Sequence, residues 1–179
     1  MSMIARPPSL RTLGVALAVL LLVVATAVAA APGAPVVTER AEVSYRNPAS
    51  FTEMDRSPNE SREWLDVLSR YIAKRASRTL PDGERLLVTI TDVQRAGQLE
   101  PWRSSRWSDT RFVRDTTPPR IDLTFQLVSA QGAVLKEGTR QLRDANFLTG
   151  GIFHRGEALG YEKNLIDAWL RADFGPPRR

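Results

Sequence analysis

No cysteine occurs anywhere in the chain. That excludes disulfides, thiolate zinc sites and lipid attachment through a cysteine, so the fold must rest on its apolar core alone. Histidine occurs once, at His154, so any histidine-based triad or imidazole metal site must use that residue. Lysine is scarce as well: Lys74, Lys136 and Lys163 stand among 25 basic residues, and the rest are arginines. Arginine suits phosphate and carboxylate recognition; it is also the default cation of a GC-rich coding sequence. Neither a Gly-x-Ser-x-Gly elbow nor a phosphate-loop signature is present. Gly150-Gly151 lacks the Lys-Ser/Thr of a phosphate loop and reads as a turn or helix cap.

Two arginines, Arg6 and Arg11, precede a nearly unbroken apolar run of 19 residues from Leu13 to Ala31. Ala27-Val28-Ala29 supplies the small-x-small pattern of a cleavage site. Residues 1–29 read as a secretory signal peptide and 30–40 as a linker. An uncleaved anchor is the other reading of a run this long. The expected setting is outside the cytoplasm, with no stable membrane anchor after cleavage. Without Arg6 and Arg11 the formal charge falls from +5 to +3. So mild a balance gives no basic patch and argues against nucleic acid as partner.

The remaining residues suffice for one domain, placed at 41–174 and followed by a tail at 175–179. Residues 41–45 read as a short strand. Ser57-Pro58-Asn59-Glu60 combines an N-cap serine, a proline at the first helical position and a capping-box glutamate. Trp64, Leu65, Leu68, Tyr71, Ile72, Ala76 and Leu80 then recur at three- and four-residue spacing, the stripe of a long helix. Residues 86–93 and 120–129 alternate as strands, and Ala130-Gln131-Gly132 turns the second into a hairpin partner at 134–140. Residues 143–148 read as a short helix and 157–173 as a final one. The expected class is α+β: one small domain, a mostly antiparallel sheet with helices packed on one face, in the order β-α-β-β-β-α-α.

Residues 95–117 stand apart. They hold Glu100, Trp102, Arg103, Trp107, Arg111 and Arg114 with little regular patterning. Long loops carry recognition in small domains, and tryptophan and arginine dominate binding hot spots. Against that, tryptophan in a small domain is usually buried, which would place Trp102 at the core edge and Trp107 on the sheet. Glu100 with Asp109 or Asp115 would make a carboxylate pair; salt bridges to the arginines are the simpler role. Arg120 and Asp122 join the candidates from the polar side of the neighbouring strand. His154 reads as an exposed loop histidine. Arg70, Lys74 and Arg78 form a charged helical stripe whose default role is a solvated face. Asn59-Glu60-Ser61 fits a glycosylation sequon.

Arg62-Glu63-Trp64-Leu65, Leu80-Pro81-x-Gly83, Thr91-Asp92-Val93 with Ala96-Gly97, and Glu100-Pro101-Trp102 follow one another in order. Pro118-Pro119-Arg120-Ile121-Asp122-Leu123, Glu137-Gly138, Leu142-Arg143-Asp144 and Tyr161-Glu162-Lys163 continue the series. Over residues 41–174 this resembles the DUF3016 family, exported proteins of Gram-negative bacteria with no assigned function. The resemblance implies a periplasmic setting and carries over no catalytic residue and no cofactor. Two functional readings stand. One is a non-enzymatic interaction module that binds an envelope protein or component through Glu100, Trp102, Arg103, Trp107, Arg120 and Asp122. The other is an enzyme or small-ligand binder acting on an envelope component. It needs Glu100, Asp115 or His154 gathered in one pocket beside the 95–117 loop. No metal and no cofactor are expected in either.

Overall fold

Alternating apolar residues build a five-stranded sheet, and two helices cover its apolar face. The computed structural model describes residues 35–53, 58–107, 110–149, 154 and 156–176, with the backbone alone for 58–61. The leader, Ser57 and Gly150-Gly151 lie outside the described residues, as do Asp109 and the side chain of Glu60. The order is β1 (Val36–Val37), β2 (Ala41–Tyr45), α1 (Pro58–Thr79), β3 (Arg85–Gln94), β4 (Gln98–Leu99), β5 (Arg111–Phe112), β6 (Arg120–Val128), β7 (Val134–Arg143) and α2 (Gly160–Phe174). The main sheet runs β1-β2-β3-β6-β7, and β4-β5 form a separate two-stranded ladder. All pairings are antiparallel except β2 with β3. That parallel pair is joined by α1, because parallel strands need a long crossover. The class is α+β, as the patterning indicates.

Strand alternation decides which side chains face the helices. Ile121, Leu123, Phe125 and Leu127 of β6 are buried, as are Leu86, Val88 and Ile90 of β3. A register shift between Ile90 and Asp92 then changes the phase of β3. Val93 thereby joins the core, and Asp92 turns to the polar face opposite Asp122. The stripe of α1 is buried at Trp64, Leu65, Leu68, Ile72, Ala73 and Ala76. The Tyr45 hydroxyl reaches across to α1, donating to the Leu65 carbonyl at 2.6 Å and meeting Ser69. Burial, partly offset by the Ser69 contact, pushes this phenol up to about 12.

At the other end of the sheet, Phe125, Trp169 and Phe174 pack edge to face with centroids 5.5–5.8 Å apart. Asp173 of α2 accepts from Lys136 and Arg140 of β7 and from the Trp169 indole N–H. Burial opposes its charge. The three donors outweigh burial and hold the carboxyl below the usual range.

Three features differ from the sequence reading. Residues 143–148 are not a helix: β7 runs on to Arg143, and 145–149 are turns. The apolar spacing there comes from Leu142, which packs on the core from the strand, and from Phe147, which meets Tyr161. Helix α2 starts at Gly160 rather than near Glu157, because Leu159 is left-handed (φ 59°) and breaks the run. Val36–Val37, within the stretch read as a linker, pairs with β2.

Candidate binding site: the Trp102–Trp107 loop

The segment between β3 and β6 leaves the sheet at Gly97 and is tied down before it projects. Gly97 N–H donates to the Thr117 carbonyl at 2.9 Å. Arg111 donates to the Gly97 carbonyl at 2.7 Å and pairs with Glu53. Glu53 also accepts from the Arg95 N–H at 3.1 Å. A third tie comes from α2: the Ala96 N–H donates to buried Glu162 at 2.7 Å.

Burial pushes the Glu162 carboxyl up, opposed by the Ala96 N–H. A group with a raised folded-state pKa contributes stability that is complete below its unfolded value of 4.5. That contribution is lost as pH rises through the folded value. Glu162→Gln is therefore expected to match or exceed the parent in stability at neutral pH, with the advantage gone below pH 4.5. Urea unfolding at pH 4 and pH 7 checks this, and a variant weaker at pH 7 contradicts it.

Beyond the ties, the loop is organised by one buried carboxylate. Glu100 is 1% exposed. Its Oε2 lies 2.8 Å from Arg103 Nε, and its Oε1 lies 2.7 Å from Arg114 Nη2, off the hydrogen-bond direction. Both guanidiniums are about half exposed, so each presents donors outward while Glu100 fixes its base. The Arg103 guanidinium also stacks 4.6 Å over the Phe112 ring. The main chain turns tightly at the tip, with Trp107 N–H donating to Ser104 and Thr110 N–H to Trp107. On this frame Trp102 is 70% exposed and Trp107 47% exposed, with Val113 also open to solvent. The burial reading of both tryptophans is overturned: the core is already filled by Trp64 and Trp169.

The remaining candidates lie elsewhere. Arg120 pairs with Asp92 and donates to the Thr52 hydroxyl at 2.8 Å. Asp122 sits 3.9 Å from Arg143. These four charges close the end of the polar sheet face and make no bond to Glu100, Trp102, Arg103 or Trp107. Burial works against the Asp92 charge; the bonds from Thr52 and Arg120 prevail and lower its pKa. Asp115 is exposed. The polar face itself is open, with a shallow depression of about 500 Å³ lined by Arg46, Thr89, Thr124, Gln126, Glu137 and Thr139 among others. Arg70, Lys74 and Arg78 face solvent on α1.

His154 lies in a turn, as expected, but is not exposed. Its side chain is 17% exposed and bridges both helices. Nε2 lies 2.8 Å from the Tyr71 hydroxyl and 3.3 Å from Asp167, and Nδ1 lies 3.2 Å from Glu157. Asp167 also accepts from Tyr71 at 2.8 Å and from Arg75 Nε at 2.7 Å. Glu157 accepts from Lys163 at 2.8 Å. Burial, then the bond to Asp167, push the Tyr71 phenol above its usual range. A signal for this network was present in the sequence: Tyr71 and Arg75 are one turn apart, and Asp167 interrupts the apolar run of α2. No described group of three or more metal-ligating side chains could hold an ion. No helix among the described residues is long and apolar enough to cross a membrane.

No curated protein matches the chain. The profile of DUF3016, a protein family of unknown function, matches residues 39–172, from just before β2 almost to the end of α2. With that match spanning most of its length, the chain belongs to the DUF3016 family.

Proposed function

We propose that the protein is an exported, non-enzymatic interaction module of the periplasm, and that its 98–114 loop contacts an envelope protein or component. The exposure of Trp102 carries this reading. An indole buries on the order of 200 Å² when packed. Leaving most of that in water forgoes about 3 kcal/mol of stability. Three large apolar side chains exposed on one loop, Trp102, Trp107 and Val113, are the kind of surface that marks an interaction site. The tethering of Arg103 and Arg114 to Glu100 supports the same reading, since side chains already ordered lose less entropy on binding. The compartment rests on Arg6, Arg11, the apolar run and Ala27-Val28-Ala29.

The enzymatic alternative needs Glu100, Asp115 or His154 in one pocket. Among the described residues, Glu100 is engaged with Arg103 and Arg114, and His154 with Tyr71, Asp167 and Glu157; no bond links the two groups.

The test is crosslinking in intact cells, followed by purification of the tagged protein and mass spectrometry. One dominant partner is expected, lost in the Trp102→Ala/Trp107→Ala variant, with the melting temperature nearly unchanged because both side chains are exposed. A large drop in melting temperature, or a partner retained by the variant, rejects the loop as the contact. No partner at saturating crosslinker rejects the protein-binding form of the proposal.

A further inference from the structure

The two edges of the main sheet are finished differently. At one edge, β1 is two residues long. At the other, β7 offers ten residues, and no described backbone group bonds to its outer side. An open edge of that length is a template for another strand, which soluble proteins normally guard with charge. The charges on β7 are arranged in an unusual way. Glu137 accepts only from the neutral Gln126 amide, at 3.0 Å, and has no cationic partner among the described residues. Arg143 has its nearest carboxylate, Asp122, at 3.9 Å, and Asp122 Oδ1 is buried without a hydrogen bond. Glu137 and Arg143 are six residues apart, so both point to the polar face.

We infer that β7 is a self-association edge, through which two copies of this chain pair antiparallel about a twofold axis at Arg140. In that register Glu137 of each copy stands opposite Arg143 of the other, giving two cross-strand ion pairs on the polar face. Thr139 then faces Gln141. On the helix face Leu142 meets Gly138, a large side chain against a small one. Arg140 faces its own copy. Each Arg140 is drawn back to Asp173 and lies over Phe125, so the two charges are already neutralised. Moving the axis by one residue either way puts Glu137 opposite Gln141, or Arg143 opposite Thr139, and both ion pairs vanish. Charge therefore selects one register. The product is a continuous ten-stranded sheet whose two open depressions share one polar surface. The loop of the proposed function takes no part in it.

Sedimentation velocity over a concentration series, on protein purified as cells produce it, tests the edge. The parent is expected to reach dimer mass. Glu137→Arg and Arg143→Glu each convert two attractive pairs into two repulsive ones and are expected to weaken the dimer at least about tenfold. The double reversal Glu137→Arg/Arg143→Glu is expected to restore it to within about threefold. Glu137→Gln, which keeps shape and removes charge, serves if a reversal fails to fold, and should fall between. A parent that stays monomeric overturns the inference. So does a dimer indifferent to both single reversals, or one that the double reversal does not rescue.

Discussion

Asp167→Ala is expected to lower the unfolding free energy by about 2–4 kcal/mol. Asp167 is 7% exposed on a helix whose neighbouring positions, Leu165 and Ile166, are core. It accepts from Tyr71 and Arg75 of α1 and meets His154 at 3.3 Å. Removing the carboxylate leaves the Tyr71 hydroxyl with His154 Nε2 as its remaining partner and leaves Arg75 beside an apolar seam. Arg75 is about one-third exposed and turns out to water, which keeps the loss below that of a fully buried pair. His154 loses one of two helix contacts, and the chain before α2 is held less tightly. Gly160 approaches the His154 carbonyl so closely that a Cβ there would lie 2.4 Å away, so this corner is fitted by backbone as well as by side chains. Asp167→Asn keeps the shape and one acceptor and should lose less. Urea unfolding of both variants measures the difference, and an alanine variant as stable as the parent contradicts the assignment of this network as a helix–helix tie.

Gly97→Val is expected to open the loop while sparing the core. Gly97 has φ of +74°, a conformation that costs a side-chain-bearing residue about 1–3 kcal/mol. A Cβ at that position would also stand 2.5 Å from the Phe112 carbonyl oxygen and 2.8 Å from the Val113 Cα, both backbone atoms without room to move. The β4-β5 ladder that must absorb this strain is two residues long on each side. Together these exceed what so short a ladder resists, so it separates, and with it the hold of Arg111 on the Gly97 carbonyl. Amide exchange should accelerate across 98–117 and stay slow in α1, β3 and β6. Partner capture should fall with it. Slow exchange retained in the loop would show that the anchoring at Gly97 is not what orders it.

Much of the fold is written in short-range pattern. The 3.6-residue stripe of α1, the alternation of β6 and the Ala130-Gln131-Gly132 turn each survive because local geometry and burial agree there. Gly132 takes the positive φ that the turn requires. What pattern did not reveal depends on partners distant in sequence. Glu53, Arg111 and Glu162 anchor the loop across gaps of 58 and 66 residues, and no local spacing announces such pairs. The β3 bulge, which sends Asp92 to the polar face, is equally invisible, since Thr91-Asp92-Val93 reads as ordinary strand. The tryptophans were ambiguous for a different reason. Composition gives the average burial of an indole, but which tryptophans fill the core depends on how much room the others leave. Trp64 and Trp169 take that room, and Trp102 and Trp107 remain outside. His154 is partly buried against the sequence expectation, because a turn residue is exposed only when no distant side chain reaches it. Its contacts, Tyr71 and Asp167, lie 83 and 13 residues away.

The central claim is that the exposed Trp102–Trp107 face is where a partner sits. Site-specific photocrosslinking in intact cells tests it most directly, with the photoreactive residue placed at position 102, at 107, or at 124 on the open polar sheet face. One shared adduct is expected from 102 and 107 and none from 124. An adduct from 124 alone, or no adduct from 102 and 107 in protein that folds and is exported, contradicts it.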